Sequence, residues 1–368
     1  MSGPLTGLRV IELAGLAPAP FGCMVLADMG AEVIRIDRPG APPAVPNDPL
    51  TRGRRSVSLD LKKPAAVDAV LRLVERSDVL VEGFRPGVTE RLGIGPADCH
   101  ARNPRLVYAR MTGWGQHGPL ADSAGHDIDY IAVAGSLEPI GQNGGRPVPP
   151  LNLVGDFAGG GLLMATGVLA ALYERERSGR GQVIDAAMVD GAALVATFVH
   201  GIKAAGALSL PRGGNLLDGG APYYDTYVTA DDKFVAIGAL EEKFYAELVT
   251  LLELDPAALP ANRHDPANWP ALRAHIAEAV RRRTRDEWAA LSVGSDACLA
   301  PVLAPDEAAD HPHNKARENF VELAGVVQPA PAPRFDRTPS GTPGPPAFSG
   351  EHTAEVLGEL GLTVDDVS

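Results

Sequence analysis

The sequence predicts an α/β protein: a large domain on a parallel sheet, with a smaller α/β domain after it. Three observations carry that expectation. Leu8 to Leu13 reads as a buried strand, about Pro20 to Met29 as a helix, and Val33 to Ile36 as a second strand. A strand–helix–strand start of this kind needs parallel pairing. The same alternation continues to about residue 204. The pattern then changes at Tyr223 to Thr229 and Phe234 to Ala239, which flank Ala230-Asp231-Asp232-Lys233 as a β-hairpin with an acidic turn.

The elements follow in order. Pro20 suits the first turn of the opening helix and Gly30 suits its end. Ser56 to Leu61 is strand-like, Pro64 opens an amphipathic helix to about Arg76, and Asp78 to Val81 is another strand. A short helix carries Arg91, and Leu106 to Arg110 is a further strand. Asp127 to about Leu137 reads as helical, and Leu162 to Tyr173 as an apolar, buried helix. A strand at Gln182 to Asp185 precedes a helix from about Val189 to Ala204. Beyond the hairpin come helices from Glu241 to about Leu252, Trp269 to Arg283 and Asp286 to Leu291, with a strand at Leu299 to Leu303. Prolines are dense from Pro329 to Pro346, the composition of an extended tether. Thr353 to Leu360 closes the chain as an amphipathic helix.

At 368 residues, 45% apolar and 21% charged, the chain has ample material for a core. A net charge of −13 argues against bulk binding of nucleic acid or anionic membrane. Cys23, Cys99 and Cys298 are odd in number and scattered, so neither a disulfide framework nor a zinc site is expected. The N-terminus lacks a signal-peptide pattern, no uncharged run is long enough to span a bilayer, and Asp365-Asp366-Val367-Ser368 is no peroxisomal address. The expected location is the cytoplasm, with no membrane and no nucleic acid as partner.

Basic residues nevertheless recur after the strands: Arg38, the cluster Arg52, Arg54 and Arg55, Lys62, Lys63, Arg85 and Arg91. Each alone reads as solvated charge; together they suit a phosphate-rich ligand, because positioned cations in a crevice gather anions. The first strand–helix turn, Ala14-Gly15-Leu16-Ala17-Pro18-Ala19, lacks the glycine spacing of a dinucleotide fingerprint.

The stretch Gly125 to Gly161 carries the proposed chemistry. His126 stands among Asp127 and Asp129, and Asp156 stands just before Ala158-Gly159-Gly160-Gly161. An Asp ahead of a helix is ordinarily an N-cap, and a histidine is ordinarily structural. The glycines favour the functional reading, since they are poor in a helix and permit close approach of a ligand. A helix start there would also offer backbone N–H groups to an oxyanion beside the carboxylate. No HxxE or HxxxH spacing supports a metal, and there is no GxSxG elbow.

The chain resembles the alpha-methylacyl-CoA racemases of the family III CoA-transferase superfamily. The likeness rests on Leu8 to Leu13, Ala27 to Ala31, Asp37 to Gly40, Pro86 to Leu92, Tyr108 to Gly113, Leu217 to Tyr224 and Gly350 to Thr353. It rests also on Gly125 to Tyr130, which is similar to the racemase GHDINY motif with Asp129 where Asn is usual. The resemblance implies a Rossmann-like large domain, a smaller α/β domain and an interlocked homodimer. The expected boundaries are 1–221 for the large domain, 222–328 for the small one and 329–368 for a return segment belonging to the large domain. It implies interconversion of (2R)- and (2S)-2-methylacyl-CoA by 1,1-proton transfer through an enolate. His126 and Asp156 would be the two bases, Glu241 would orient the histidine, and the Asp156 N–H would serve the enolate oxygen. Arg38, Leu59, Asp60, Leu61, Lys62, Arg85, Arg91 and the loop Gly125, His126, Asp127, Ile128, Asp129 and Tyr130 would line the CoA site. No metal or other cofactor is expected, CoA being part of the substrate. The alternatives are a CoA-transferase using Asp156 as nucleophile and a non-catalytic acyl-CoA binder.

Overall fold

The structure is a computed structural model describing residues 2–40, 47–208 and 210–367. Ser368, the last residue of the tail read above, lies outside them. Six parallel strands form the main sheet in the order β3-β2-β1-β4-β5-β6. In chain order the first elements are β1 (Arg9–Leu13), α1 (Pro18–Asp28), β2 (Glu32–Asp37), β3 (Arg54–Ser58), α2 (Pro64–Val74), β4 (Val79–Glu82), α3 (Val88–Leu92), α4 (Pro96–Arg102) and β5 (Val107–Thr112). After α5 (Asp127–Val133), a π-helical segment over Leu153–Leu162 runs straight into α6 (Leu163–Ser178). β6 (Val183–Ala187), α7 (Met188–Val195) and α8 (Thr197–Ala204) follow.

Alternate residues along the strands feed two separate cores. Val10, Val33, Val79, Val81, Val107 and Ala109 pack with α1 and α6 on one face. Ile11, Leu13, Ile34, Ile36, Leu80 and Tyr108 pack with α2 on the other. A sheet covered on both faces reads as near-continuous apolar runs, which is why these strands were recognisable. The strand order reverses between β1 and β4, so a crevice opens beyond their carboxyl ends.

A second unit holds β7 (Tyr224–Val228), β8 (Phe234–Gly238), α9 (Glu242–Leu251), α10 (Trp269–Val280), α11 (Arg285–Ser292), β9 (Leu299–Pro301) and α12 (Pro305–Ala308). Its three strands are antiparallel in the order β7-β8-β9. α13 (Pro312–Ala316), the hairpin β10 (Phe320–Leu323) with β11 (Val326–Pro329), and α14 (Thr353–Glu359) complete the chain. Val356 and Leu357 of α14 lie fully buried in the α2-side core of the main sheet.

Several boundaries differ from the sequence reading. The first compact unit comprises 1–136, 150–196 and 312–368, and the second 137–149 and 197–311. The division falls after Ala196, where the expected single helix from Val189 to Ala204 is broken, rather than after 221. The return begins at Pro312, ahead of the proline-rich stretch. Leu153–Ser178 is one 26-residue helix, long and apolar enough to cross a membrane by length and composition. Asp156 and Glu174 bound its uncharged run at residues 157–173, so the expectation that no uncharged run spans a bilayer is unchanged by it.

Candidate active site

Two clefts open in the first unit, and they share Gly15, Leu16, Ala17 and Phe84. Gly15 to Ala17 follow β1 and Phe84 follows β4, the two strands at which the order reverses. Ala17 holds φ 34°, a left-handed value unusual for alanine, which costs about 1–3 kcal/mol and is typical of functional turns. Pro18 begins α1 immediately afterwards.

The first cleft, about 660 Å³, is lined by Arg38 and by Leu59, Asp60, Leu61 and Lys62. These stand just past the ends of β2 and β3. The Asp60 side chain accepts from the Lys62 N–H at 3.1 Å, an Asx turn that shapes the loop. Arg38 and Lys62 are exposed and make no ion pair among the described residues. The Arg52, Arg54 and Arg55 cluster is different. Arg52 is bound to Asp28 at 2.5 Å and to Gln328 and the Pro329 carbonyl. Arg54 pairs with Glu12 at 3.0 Å, both wholly buried, and Arg55 pairs with Glu32 and Glu359. These three guanidinium groups tie the fold together, which corrects the reading that made them part of a phosphate site.

The second cleft, about 650 Å³, is lined by Arg85, Trp114, Gly125, His126, Tyr130 and Asp156 among others. His126 caps the start of α5, its N–H donating to Asp129 Oδ2 at 2.9 Å, and its ring is exposed. Asp129 therefore serves the helix start as an acidic N3 residue, a role Asp fills as well as Asn. Tyr130 is buried, donates from its hydroxyl to the Gly125 carbonyl at 2.5 Å and meets Trp114 edge-on. Asp127 is buried, and Ile128, Asp129 and Arg91 are exposed; none of these four lines either cleft.

Asp156 is half-buried, and its carboxylate accepts from Asn152 Nδ2 at 3.0 Å. Burial pushes its pKa above the ordinary value; the Asp127 charge adds to that, while the Asn152 bond and His126 pull the other way. Two expectations are corrected here. Asp156 is no N-cap, because it lies inside the π-helical segment that Asn152 precedes. Its N–H is not open to an oxyanion either, because it donates to Asp127 Oδ2 at 2.7 Å.

The glycines have another reason as well. A Cβ on Gly159 would meet the Ala192 nitrogen at 2.6 Å, and one on Gly161 the Pro18 carbonyl oxygen at 2.3 Å. Opposite them, Gly191 and Gly22 lie equally close to Gly159 and Gly161. Paired glycines let the segment press against α1 and α7, so they serve helix packing rather than ligand approach. Among the described residues, no group of three His, Cys, Asp or Glu side chains is placed to hold a metal ion.

The family model for CoA-transferase family III matches residues 5–353. Alpha-methylacyl-CoA racemase of Mus musculus is 46% identical over 366 residues, covering 99% of this chain and 95% of that protein. This chain belongs to CoA-transferase family III. The alpha-methylacyl-CoA racemase of Homo sapiens is likewise 46% identical, over 369 residues, with the same coverage. A CAIB/BAIF family protein from Brucella suis, of known crystal structure, is similar with a TM-score of 0.85 at 27% identity. That match covers 98% of this chain and 100% of the other.

In this family III chain Glu241 sits in the second unit, exposed, as the residue that opens α9. Its turn is held by a residue that sequence reasoning missed. Arg263 is buried and donates to the Ala239 and Leu240 carbonyls at 3.3 and 2.7 Å and to Glu242 at 2.9 Å. Its guanidinium lies 4.4 and 4.6 Å from the ring centres of Tyr223 and Tyr245. Nothing in the spacing of Arg263 announces this. Asn152 was missed too, although its position four residues before Asp156 is the spacing at which helical side chains meet.

Proposed function

We propose that the protein interconverts (2R)- and (2S)-2-methylacyl-CoA thioesters by a two-base 1,1-proton transfer through an enolate. The observation that carries this reading is the presence of His126 and Asp156 on one cleft. An imidazole and a carboxylate whose pKa burial raises above its ordinary value are groups that can each take or give a proton. Sequence identity of 46% to racemases over nearly the full chain supports it. The CoA portion occupies the first cleft, where Arg38, Lys62 and the Leu59–Leu61 turn meet its phosphates and nucleotide; the acyl portion crosses the shared rim to the second. One base removes the α-proton while the other, already protonated, delivers to the opposite face. With the Asp156 N–H engaged by Asp127, the enolate oxygen needs a donor other than that N–H. Glu241 takes the supporting role that the resemblance gives it, and no metal or separate cofactor is invoked.

We also propose a cytoplasmic homodimer. A second copy would cover exposed Leu151, Leu153, Leu162 and Val195, and light scattering on the purified protein tests it.

Incubation with a single epimer of a 2-methylacyl-CoA in deuterated water, without an acceptor acid, tests the chemistry. The expected result is loss of configuration with deuterium at Cα. No exchange overturns the reading. CoA transfer on adding a carboxylic acid would then indicate attack by Asp156 on the thioester, and thioester binding without either reaction would indicate a non-catalytic binder.

A further inference from the structure

We infer that Asp127 is a positioning residue that locks the two bases into register, rather than a contact for CoA. The inference rests on the two-base reading above. Asp127 is the first residue of α5, directly after His126, and only 6% of it is exposed. Its Oδ2 accepts the N–H of Asp156 at 2.7 Å, so one carboxylate joins the element that carries one base to the backbone of the other. Charge-assisted bonds of this kind are short and strong.

The site is built for that carboxylate. A Cβ on Gly155 would lie 2.5 Å from Asp127 Oδ2, 2.8 Å from its Cγ and 3.2 Å from Ile131 Cγ2. The residue before Asp156 is therefore a glycine because the Asp127 side chain occupies the space. The fourth N–H of a helical segment has no acceptor within it, and Asp127 supplies one from outside. The other oxygen, Oδ1, is buried and has no hydrogen-bond partner among the described residues. A buried carboxylate is costly to keep, and here its hydrogen bonding is the bond to Asp156. Burial raises the Asp156 pKa most, and the Asp127 charge adds to that rise against the opposing Asn152 bond and His126, with Tyr130 the other titratable group alongside, so removing the Asp127 charge should lower the Asp156 pKa.

The test follows α-proton exchange of a 2-methylacyl-CoA in deuterated water across pH. In Asp127→Ala, kcat should fall about ten- to a hundredfold, the loss expected for a base misplaced by an ångström, with KM within about twofold. Asp127→Asn keeps the shape and an acceptor oxygen but not the charge. Its kcat should fall less than in Asp127→Ala, and the limb reporting ionisation of Asp156 should move to lower pH, which a packing role alone would not produce. Gly155→Ala should lose about as much as Asp127→Ala, and the double variant no more than the worse single one, since both break the same contact. Folding of each variant is checked by circular dichroism. Unchanged kcat in folded Asp127→Ala, or a loss confined to KM, overturns the inference. Should that variant fail to fold, an unmoved limb in Asp127→Asn overturns it instead. His126→Ala and Asp156→Ala run alongside: full exchange in either means that the two-base reading has failed, whereas their loss beside unaffected Asp127 variants sinks only the positioning role.

Discussion

Both clefts of the first unit open past the carboxyl ends of parallel strands and share Gly15 to Ala17 and Phe84, yet they are furnished for different work. The first presents Arg38 and Lys62 without ion-pair partners among the described residues, on loops after β2 and β3. The second presents His126 beside a half-buried Asp156 whose pKa is raised. In the proposed function, one cleft supplies affinity for an anionic carrier and the other supplies proton transfer. Such a division uses binding energy from the remote part of a substrate to place its reacting carbon. Variants in the two clefts should then fail in different ways.

The largest effect is expected in the second cleft. His126→Ala and Asp156→Ala should each lower kcat for racemisation by about 10³-fold or more, because general acid–base groups contribute about 10²–10⁴ and both faces of the carbon are needed. CoA affinity, measured by calorimetry, should stay within about twofold. A comparable loss of affinity in either variant would mean that the two clefts are not functionally separate.

Next comes a stability effect that separates the two kinds of arginine. Arg54→Met leaves Glu12 buried and unpaired in the core and should destabilise the fold by about 3–5 kcal/mol in urea unfolding. Arg38→Met should change stability by less than about 0.5 kcal/mol, as an exposed substitution does. In the first cleft, Arg38→Met and Lys62→Met should each raise KM for the thioester about tenfold, an effect that shrinks as salt is added, with kcat little changed. Unchanged KM in both would remove these cations from the carrier site.

The arginines also show how far the sequence could be read. That cations follow strands was visible from the letters alone, because strand and helix periodicities in a doubly covered sheet are strong. Which cations are committed was not, since Arg52, Arg54 and Arg55 find their carboxylates on α1, β1, β2 and α14, from 23 to 304 residues away. The glycine run illustrates the same limit. Its need for close approach was legible, but the partners, Gly22 on α1 and Gly191 on α7, are set only by the packed fold. Asp156 resembled a helix cap because nothing local distinguishes a π-helical segment from the start of an α-helix. His126 and Asp156 lie thirty residues apart with no spacing rule between them, and the family resemblance, rather than periodicity, paired them.

The smallest effect tests how the second cleft is tuned. Asn152 donates to the Asp156 carboxylate and stabilises its charged form, against the burial and the Asp127 charge that favour the neutral one. Asn152→Ala removes the stabilising bond and leaves the opposing causes in place, so the Asp156 pKa should rise further above 3.8, its ordinary value. Where Asp156 is the base, it must be ionised, and activity grows as pH rises through its pKa. The acidic limb for that direction should therefore move to higher pH by at most about one to two units, the full worth of one hydrogen bond to a charged group, and by less where water replaces the lost donor at this half-buried carboxylate. For the opposite direction, in which protonated Asp156 delivers the proton, the limb at which activity is lost should move upward by the same amount. Asp127→Asn should shift both limbs the other way. Unmoved limbs in both directions would show that the profile reports His126 rather than Asp156.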